Sequence, residues 1–128
     1  MSGDTGSSSD SSDTRPPRRL RAGLANWQVR RVTAYMLAHL DGELSLDELS
    51  KLVNLSRTHF CTAFRLTVGH TPREWLIGRR LERARELLGR FDMSITEIAL
   101  ALGYTPSAFG AIFRERVGVT PSEFRRRL

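Results

Sequence analysis

Two stretches of the chain are nearly the same: FRLTVGHTPREW at residues 64–75 and FRERVGVTPSEF at residues 113–124. Phe, Arg, Val, Gly, Thr, Pro and Glu recur at matching places, each 49 residues after its first occurrence. The match extends without a gap over residues 45–75 and 94–124. Two copies are too few for a solenoid, so the chain uses one supersecondary unit twice.

Helix-start signals stand at the same place in both copies. Ser45 with Glu48, and Ser94 with Glu97, form the pattern Ser-x-x-Glu. In such a capping box the serine oxygen accepts a backbone N–H of the first turn, and the glutamate accepts the N–H of the serine. Apolar residues then recur at helical spacing, which predicts a short helix after each serine.

A tight turn and a second helix are predicted to follow in each copy. Asn54 and Gly103 are residue types that tolerate the left-handed backbone at a helix end, and Ser56 and Thr105 can cap the next helix. That helix is expected to end at the Val-Gly pair of each copy, after which a Thr-Pro-x-Glu sequence opens a third helix. Helix, tight turn and helix is the helix-turn-helix motif.

Residues 72–90 read as one linker helix about 28 Å long. Its leucines are expected to face inward, and Arg79, Arg80, Arg83 and Arg85 outward. The predicted fold class is all-α. It consists of two helix-turn-helix subdomains, each a homeodomain-like three-helix unit, joined by the linker helix. The predicted boundaries are 1–23 for an N-terminal tail, 24–128 for the folded domain, 45–68 for motif 1, 72–90 for the linker helix, 94–117 for motif 2 and 121–128 for a C-terminal helix.

Composition separates the tail from the rest and indicates a polyanionic partner. The Ser- and Asp-rich opening has almost no apolar residue, so we expect it to be disordered. The basic run RPPRRLR at 15–21 could reach a minor groove as an arm, or stay solvated. The net charge is +6, the pI is about 10.9, and Lys51 is the single lysine among twenty basic residues. Arginine suits the recognition of phosphates and guanine.

Cysteine count and hydropathy indicate a cytoplasmic protein. The single cysteine allows no intramolecular disulfide, which is typical of a reducing compartment. No apolar run reaches the length of a membrane span, and the N-terminus lacks the basic and apolar regions of a signal peptide. No membrane partner is therefore expected.

One side of each second helix is predicted to be free for recognition. At 100° per residue, Phe60, Ala63, Phe64 and Thr67 share the side that packs. We call the opposite sides arc 1 and arc 2; an ordinary solvated face is the alternative reading of each. The predicted DNA-binding residues are Arg57, Thr58, Cys61, Thr62 and Arg65 in arc 1, and Ser107, Gly110, Ala111 and Arg114, next to Pro106, in arc 2. Arc 2 is poorer in donors, so arc 1 is expected to carry most base discrimination.

Residues 24–128 resemble the AraC/XylS family of bacterial transcription regulators. The resemblance lies in LSRTHFCTAFR from Leu55, ITEIALALGY from Ile95 and FRERVGVTPSEFRR from Phe113. It implies two helix-turn-helix motifs joined by a long helix, with positions 58, 61 and 62 at bases and positions 57 and 65 near the backbone. Most members carry a separate effector domain, for which this chain has no room, so it resembles the short, stand-alone members.

The leading interpretation is a sequence-specific regulator, an activator, that binds two adjacent major grooves of double-stranded DNA as a monomer. RNA polymerase is the expected protein partner, and the bacterial cytoplasm and nucleoid the expected location. The alternative is a helical adaptor that docks on RNA polymerase or another regulator without reading DNA. An enzyme is not expected, since we find no phosphate loop, carboxylate pair, metal-ligand spacing or nucleophile–base pair; no catalytic residue, metal or cofactor is assigned.

Overall fold

Seven helices make up the part of the chain that the computed structural model describes, residues 23–128, and this part contains no strand. The predicted all-α class is confirmed. The predicted tail and its basic run lie outside the described residues, apart from Gly23. In chain order the helices are α1 (Asn26–Ala38), α2 (Leu46–Leu52), α3 (Arg57–Val68), α4 (Pro72–Arg90), α5 (Ile95–Ala101), α6 (Pro106–Val117) and α7 (Pro121–Arg126).

Side-chain caps start six of these helices. In each, a Ser or Thr oxygen accepts the N–H of the third helical residue, which satisfies one of the donors that a helix start leaves free. Proline at the first position of α4, α6 and α7 adds a backbone angle already suited to a helix. The capping residues are Ser45, Ser56, Thr71, Ser94, Thr105 and Thr120, with oxygen-to-nitrogen distances of 3.0–3.2 Å.

Complete capping boxes form only in the second copy. Glu97 accepts the N–H of Ser94 at 2.8 Å, and Glu123 accepts the N–H of Thr120 at 3.0 Å. The hydrogen bonds from the backbone and hydroxyl of Thr120 lower the pKa of Glu123. The predicted boxes that start α5 and α7 are therefore confirmed.

In the first copy Ser45 and Thr71 cap their helices, but the glutamates of the two predicted capping boxes bond to other residues. The prediction of complete capping boxes in the first copy is therefore wrong. The carboxylate of Glu48 accepts the hydroxyl of Tyr35 at 3.1 Å, and this hydrogen bond raises the pKa of Tyr35. The carboxylate of Glu74 pairs with Arg116, 2.8 Å away. Both partners are remote in the chain. The second is bidentate, since both carboxylate oxygens of Glu74 accept from Arg116.

The turns of the two motifs share one backbone conformation. Asn54 has φ of 58° and Gly103, at the same place in the second copy, has φ of 83°. Gly69 and Gly118 end α3 and α6 with φ of 92° and 98°. These four positions are left-handed, which is the conformation that the residue types predicted.

Each copy builds its own hydrophobic core around a pair of phenylalanines. Phe60 and Phe64, with ring centroids 5.7 Å apart, lie in the first core, and Phe109 and Phe113, 5.6 Å apart, lie in the second. All four are fully buried, and the two cores share no buried residue. Helix α4 joins them: it gives Leu76 to the first core, and Leu81, Ala84, Leu87 and Leu88 to the second.

The linker helix departs from its predicted orientation at Arg80. This side chain was expected outside, yet its residue is only 8% exposed. Its Nε–H donates to the carbonyl of Leu40 at 2.7 Å and Nη2 donates to that of Gly42. The guanidinium lies over the Tyr104 ring, 5.0 Å from the ring centroid. Helical periodicity missed this burial because the covering residues lie far from α4 in the chain.

The helices of residues 23–128 differ from membrane spans in length or composition. None of the individual helices there has both the length and the apolar composition to cross a bilayer; the sharply bent pair α5 and α6 satisfies these criteria only when taken together.

Candidate nucleic-acid interface

One side of helix α3 packs into the first core, and the opposite side faces solvent. Phe60, Ala63 and Phe64 are 0% exposed and pack into the first core. The chain turns into α3 through Asn54, and Ser56 caps it. Because the buried residues recur at three- and four-residue spacing, they anchor one side of the helix and leave the opposite side largely exposed.

Arc 1 lies on that opposite side. Thr58, Thr62 and Arg65 are exposed, and so is Arg57, whose Nη1 lies 3.8 Å from Asp47 Oδ1. That pair is open to solvent, so it holds the arginine weakly. Cys61 is half-buried and contacts the first core. The structure therefore brings four of the five predicted residues to an open surface, with Cys61 at its edge.

Leu66 belongs to the same surface, although the sequence analysis did not include it. It is 56% exposed, and at 100° per residue it lies next to Thr62 around the helix. An exposed leucine beside donors can contact the methyl group of thymine. Helical periodicity already places Leu66 outside the packed side of α3. It was missed because only hydrogen-bonding side chains of α3 were considered as candidates for base recognition.

Arc 2 lies on the equivalent side of α6. Phe109 and Phe113 hold this helix from behind as Phe60 and Phe64 hold α3. Gly110 is half-buried, and a Cβ placed there would meet nothing within 4 Å. This stretch of backbone is therefore open to close approach. The remaining predicted residues of arc 2, Ser107, Ala111 and Arg114, are exposed.

Charge at the helix ends favours an anionic partner on this side. Arg65 lies in the last turn of α3, and Arg114 and Arg116 lie in the last turn of α6. Cations there also offset the negative end of the helix dipole. Arg116 differs from the other two because it is paired with Glu74, whereas Arg65 and Arg114 are exposed. Together these arcs can donate to phosphates and to base edges.

Comparison with protein families places most of the described chain in one group. A family model described as a helix-turn-helix domain matches residues 49–127. The chain is similar to the regulator ExsA of Pseudomonas aeruginosa, with 36% identity over 104 residues, or 80% of this chain and 37% of that protein. It is also similar to the MmsAB operon regulatory protein of the same species, with 34% identity over 96 residues, or 74% of this chain and 31% of that protein.

Solved structures agree with the sequence comparison. The fold matches an AraC-type regulator from Chromobacterium violaceum with a TM-score of 0.71 and 30% identity, covering 78% of this chain and 90% of that one. It matches the DNA-binding domain of AdpA, solved in complex with a target DNA, with a TM-score of 0.72 and 32% identity, covering 78% of this chain and 91% of that one.

These similarities extend over both motifs and the helix between them. The chain spans about a third of the length of the curated relatives it matches. Those relatives are regulators of transcription rather than enzymes. With the family model over residues 49–127 and the matched AraC-type folds, the chain belongs to the AraC family of helix-turn-helix transcriptional regulators.

Proposed function

We propose that this protein regulates transcription by binding specific sites on double-stranded DNA, with α3 and α6 in two adjacent major grooves. The observation that carries the proposal is the presence of two largely exposed arcs, each on a helix whose opposite side is packed by two buried phenylalanines. Helix-turn-helix proteins use the second helix of the motif in this way. The similarity to the AdpA domain on its target DNA supports the same use here.

One chain is enough for this mode of binding. Most helix-turn-helix proteins dimerise to reach two half-sites about 34 Å apart, whereas this chain carries both motifs. The 19 residues of α4 make a rod of about 28 Å. Linking two weak contacts makes the second one nearly intramolecular and so raises the overall affinity. We therefore propose that the protein binds as a monomer.

The two arcs contribute unequally. Arc 1 offers Thr58, Thr62 and two arginines, which can read base edges or bind phosphate. Arc 2 offers Ser107 and Arg114 around an open stretch of backbone. We propose that arc 1 carries most of the base discrimination and that arc 2 adds affinity and shape fit.

Selection of binding sites from random duplexes tests the proposal. The wild-type protein should recover a site with two short conserved elements about one helical turn apart, protected on one side of the duplex in a footprint. Alanine at Thr62 should relax preference in one element by about 1–3 kcal/mol per base pair. Alanine at Ser107 should relax it less. The reverse order would contradict the ranking of the arcs, and recovery of no site would contradict DNA recognition.

We further propose activation through RNA polymerase in the bacterial cytoplasm, at the nucleoid. The bacterial origin of the curated relatives supports this location. Transcription in vitro from a promoter carrying the selected site, with bacterial RNA polymerase, should rise when the protein is added. A fall would indicate a repressor. An adaptor that does not read DNA is less well supported, because a similar domain was solved on DNA.

A further inference from the structure

The two motifs lie next to each other, but no continuous hydrophobic core joins them. Their cores share no buried residue. Between them lies a cleft of about 550 Å³, lined from one side by Gly42 and Leu44 and from the other by Tyr104 and Ile112. Helix α4 crosses this boundary as the one covalent rod. This helix packs into both cores, but it gives only one buried core residue, Leu76, to the first. Contacts elsewhere at the boundary therefore contribute to the orientation of motif 2.

Arg80 makes the most buried of these contacts. From the middle of α4 its guanidinium donates to the carbonyls of Leu40 and Gly42, in the loop between α1 and α2. The same group lies over the ring of Tyr104, in the turn of motif 2. One side chain therefore holds the loop that leads into motif 1 and the turn of motif 2 at the same time. Its planar fork suits such a double contact better than a lysine would.

The backbones of the two motifs also touch at this point. A Cβ on Gly103 would lie 2.7 Å from the carbonyl oxygen of Asp41, so the turn of motif 2 packs directly against the loop that leads into motif 1. Asn54, the equivalent residue of motif 1, carries a side chain and is exposed. This close approach belongs to the boundary and not to the repeated unit.

An ion pair forms a second bridge across the boundary. Arg116 in α6 donates to both carboxylate oxygens of Glu74, in the first turn of α4, at 2.8 and 3.3 Å. The hydrogen bond that Arg116 donates to the Glu74 carboxylate lowers the pKa of Glu74 and raises the pKa of Arg116. In the repeat, Arg116 corresponds to Thr67, whose hydroxyl accepts the N–H of Leu24 instead, at 2.6 Å. The pair is therefore specific to the boundary.

We propose that Arg80 and the Glu74–Arg116 pair are positioning residues that fix the orientation of motif 2 against motif 1. By doing so they set which separation of half-sites the protein accepts. This second statement rests on the proposed function, whereas the first concerns the free protein. Neither bridge needs to touch DNA to act.

The orientation is tested in the free protein, without DNA. Spin labels on cysteines placed at two exposed positions, Lys51 in motif 1 and Ser122 in α7, report the orientation once Cys61 is replaced by alanine. Helix α7 reports on motif 2 because its Phe124 packs against the second core. The wild-type background should give one narrow distance distribution, and Arg80→Met should broaden it or add a second peak. Arg83→Met is the matched control: it removes the same charge one turn along α4, from an exposed side chain paired with Glu86, and should leave the distribution narrow.

A charge swap tests the exposed bridge. Glu74→Arg should broaden the distance distribution, and the double variant Glu74→Arg, Arg116→Glu should narrow it again, because the pair reforms with its charges exchanged. The proposal is overturned if Arg80→Met keeps the wild-type distribution. Should Arg80→Met fail to unfold cooperatively, Glu74→Arg decides instead, and an unchanged distribution for that variant overturns the proposal.

Spacing of half-sites gives the readout on DNA. On the site selected by the wild-type protein, one extra base pair between the halves should weaken wild-type binding roughly tenfold and Arg80→Met binding only about threefold, because a looser joint loses less when the geometry changes. Equal losses in the two proteins would overturn the role in spacing. If the wild-type protein selects no two-part site, the proposed function fails, while the distance measurement still tests the orientation.

Discussion

At the scale of single residues, Gly103 combines a local requirement with a tertiary one. Its φ of 83° is a conformation that a Cβ disfavours. The added Cβ would also lie 2.7 Å from the carbonyl oxygen of Asp41. Gly118 has a similar φ of 98°, and a Cβ there would meet nothing within 4 Å. The two glycines therefore separate the effect of backbone conformation from that of contact.

We expect Gly103→Ala to destabilise the fold by about 2–4 kcal/mol, of which the left-handed conformation accounts for about 1–2 kcal/mol and overpacking for the rest. Gly118→Ala should show only the first part, about 1–2 kcal/mol. Urea unfolding followed by circular dichroism measures both. Equal losses of stability for Gly103→Ala and Gly118→Ala would mean that the loop at Asp41 moves to accommodate the added methyl group at no measurable cost in free energy. The boundary between the motifs would then be less tightly packed than the structure indicates.

At the scale of helices, glycines inside α4 and α6 test which surfaces are free and which face DNA. Gly78 and Gly110 both lie in helix interiors, and a Cβ at either would meet no atom within 4 Å. Glycine in a helix interior is less stable than alanine because it loses more conformational freedom on folding. The two positions differ in one respect, since only Gly110 belongs to a proposed reading arc.

Alanine at either position should stabilise the protein by about 0.5–1 kcal/mol. Gly110→Ala should in addition weaken binding to the selected site, because in the proposed complex its methyl group would lie between the duplex and the backbone of α6. Gly78→Ala is the control for stability alone. Thermal unfolding and a fluorescence binding titration measure the two effects. Wild-type affinity for Gly110→Ala would remove this residue from the interface.

At the scale of the whole molecule, the chain carries an excess of basic residues, which favours binding to a polyanion. The net charge of the chain is +6. A protein that makes about six phosphate contacts loses roughly 10³ in affinity between 50 and 200 mM salt, because bound counterions are released from DNA. We expect a dependence of this size for the selected site. A flat response would mean that charge does not drive the association.

The slope of that dependence also separates the arginines from the threonines of arc 1. Arg65→Ala should make the slope of log K against log salt shallower by about 0.9 if Arg65 binds a phosphate. Thr62→Ala should weaken binding to the selected sequence and leave the slope unchanged, because a contact to a base edge releases no counterion. Equal weakening on the selected sequence and on a random duplex would place Thr62 at the backbone.

Much of the fold could be predicted because its signals are local. Ser94 and Thr120 start helices because their side-chain oxygens accept a backbone N–H of the first turn. Gly69 ends α3 because glycine readily adopts a left-handed backbone conformation. The sides of α3 and α6 that pack followed from helical periodicity. Which residues of the arcs touch DNA remains a prediction, since exposure shows only that they are available.

The amino-acid sequence by itself therefore determines the repeated unit, its helices, their caps and the faces that pack. Each of these depends on residues within a few positions of one another. The folded molecule decided the rest. Arg80 is buried by residues about forty positions away, and Glu74 leaves its capping role for Arg116, 42 positions away. Such partners exist only after the two copies have packed along α4, so no local pattern could predict how one motif is oriented against the other.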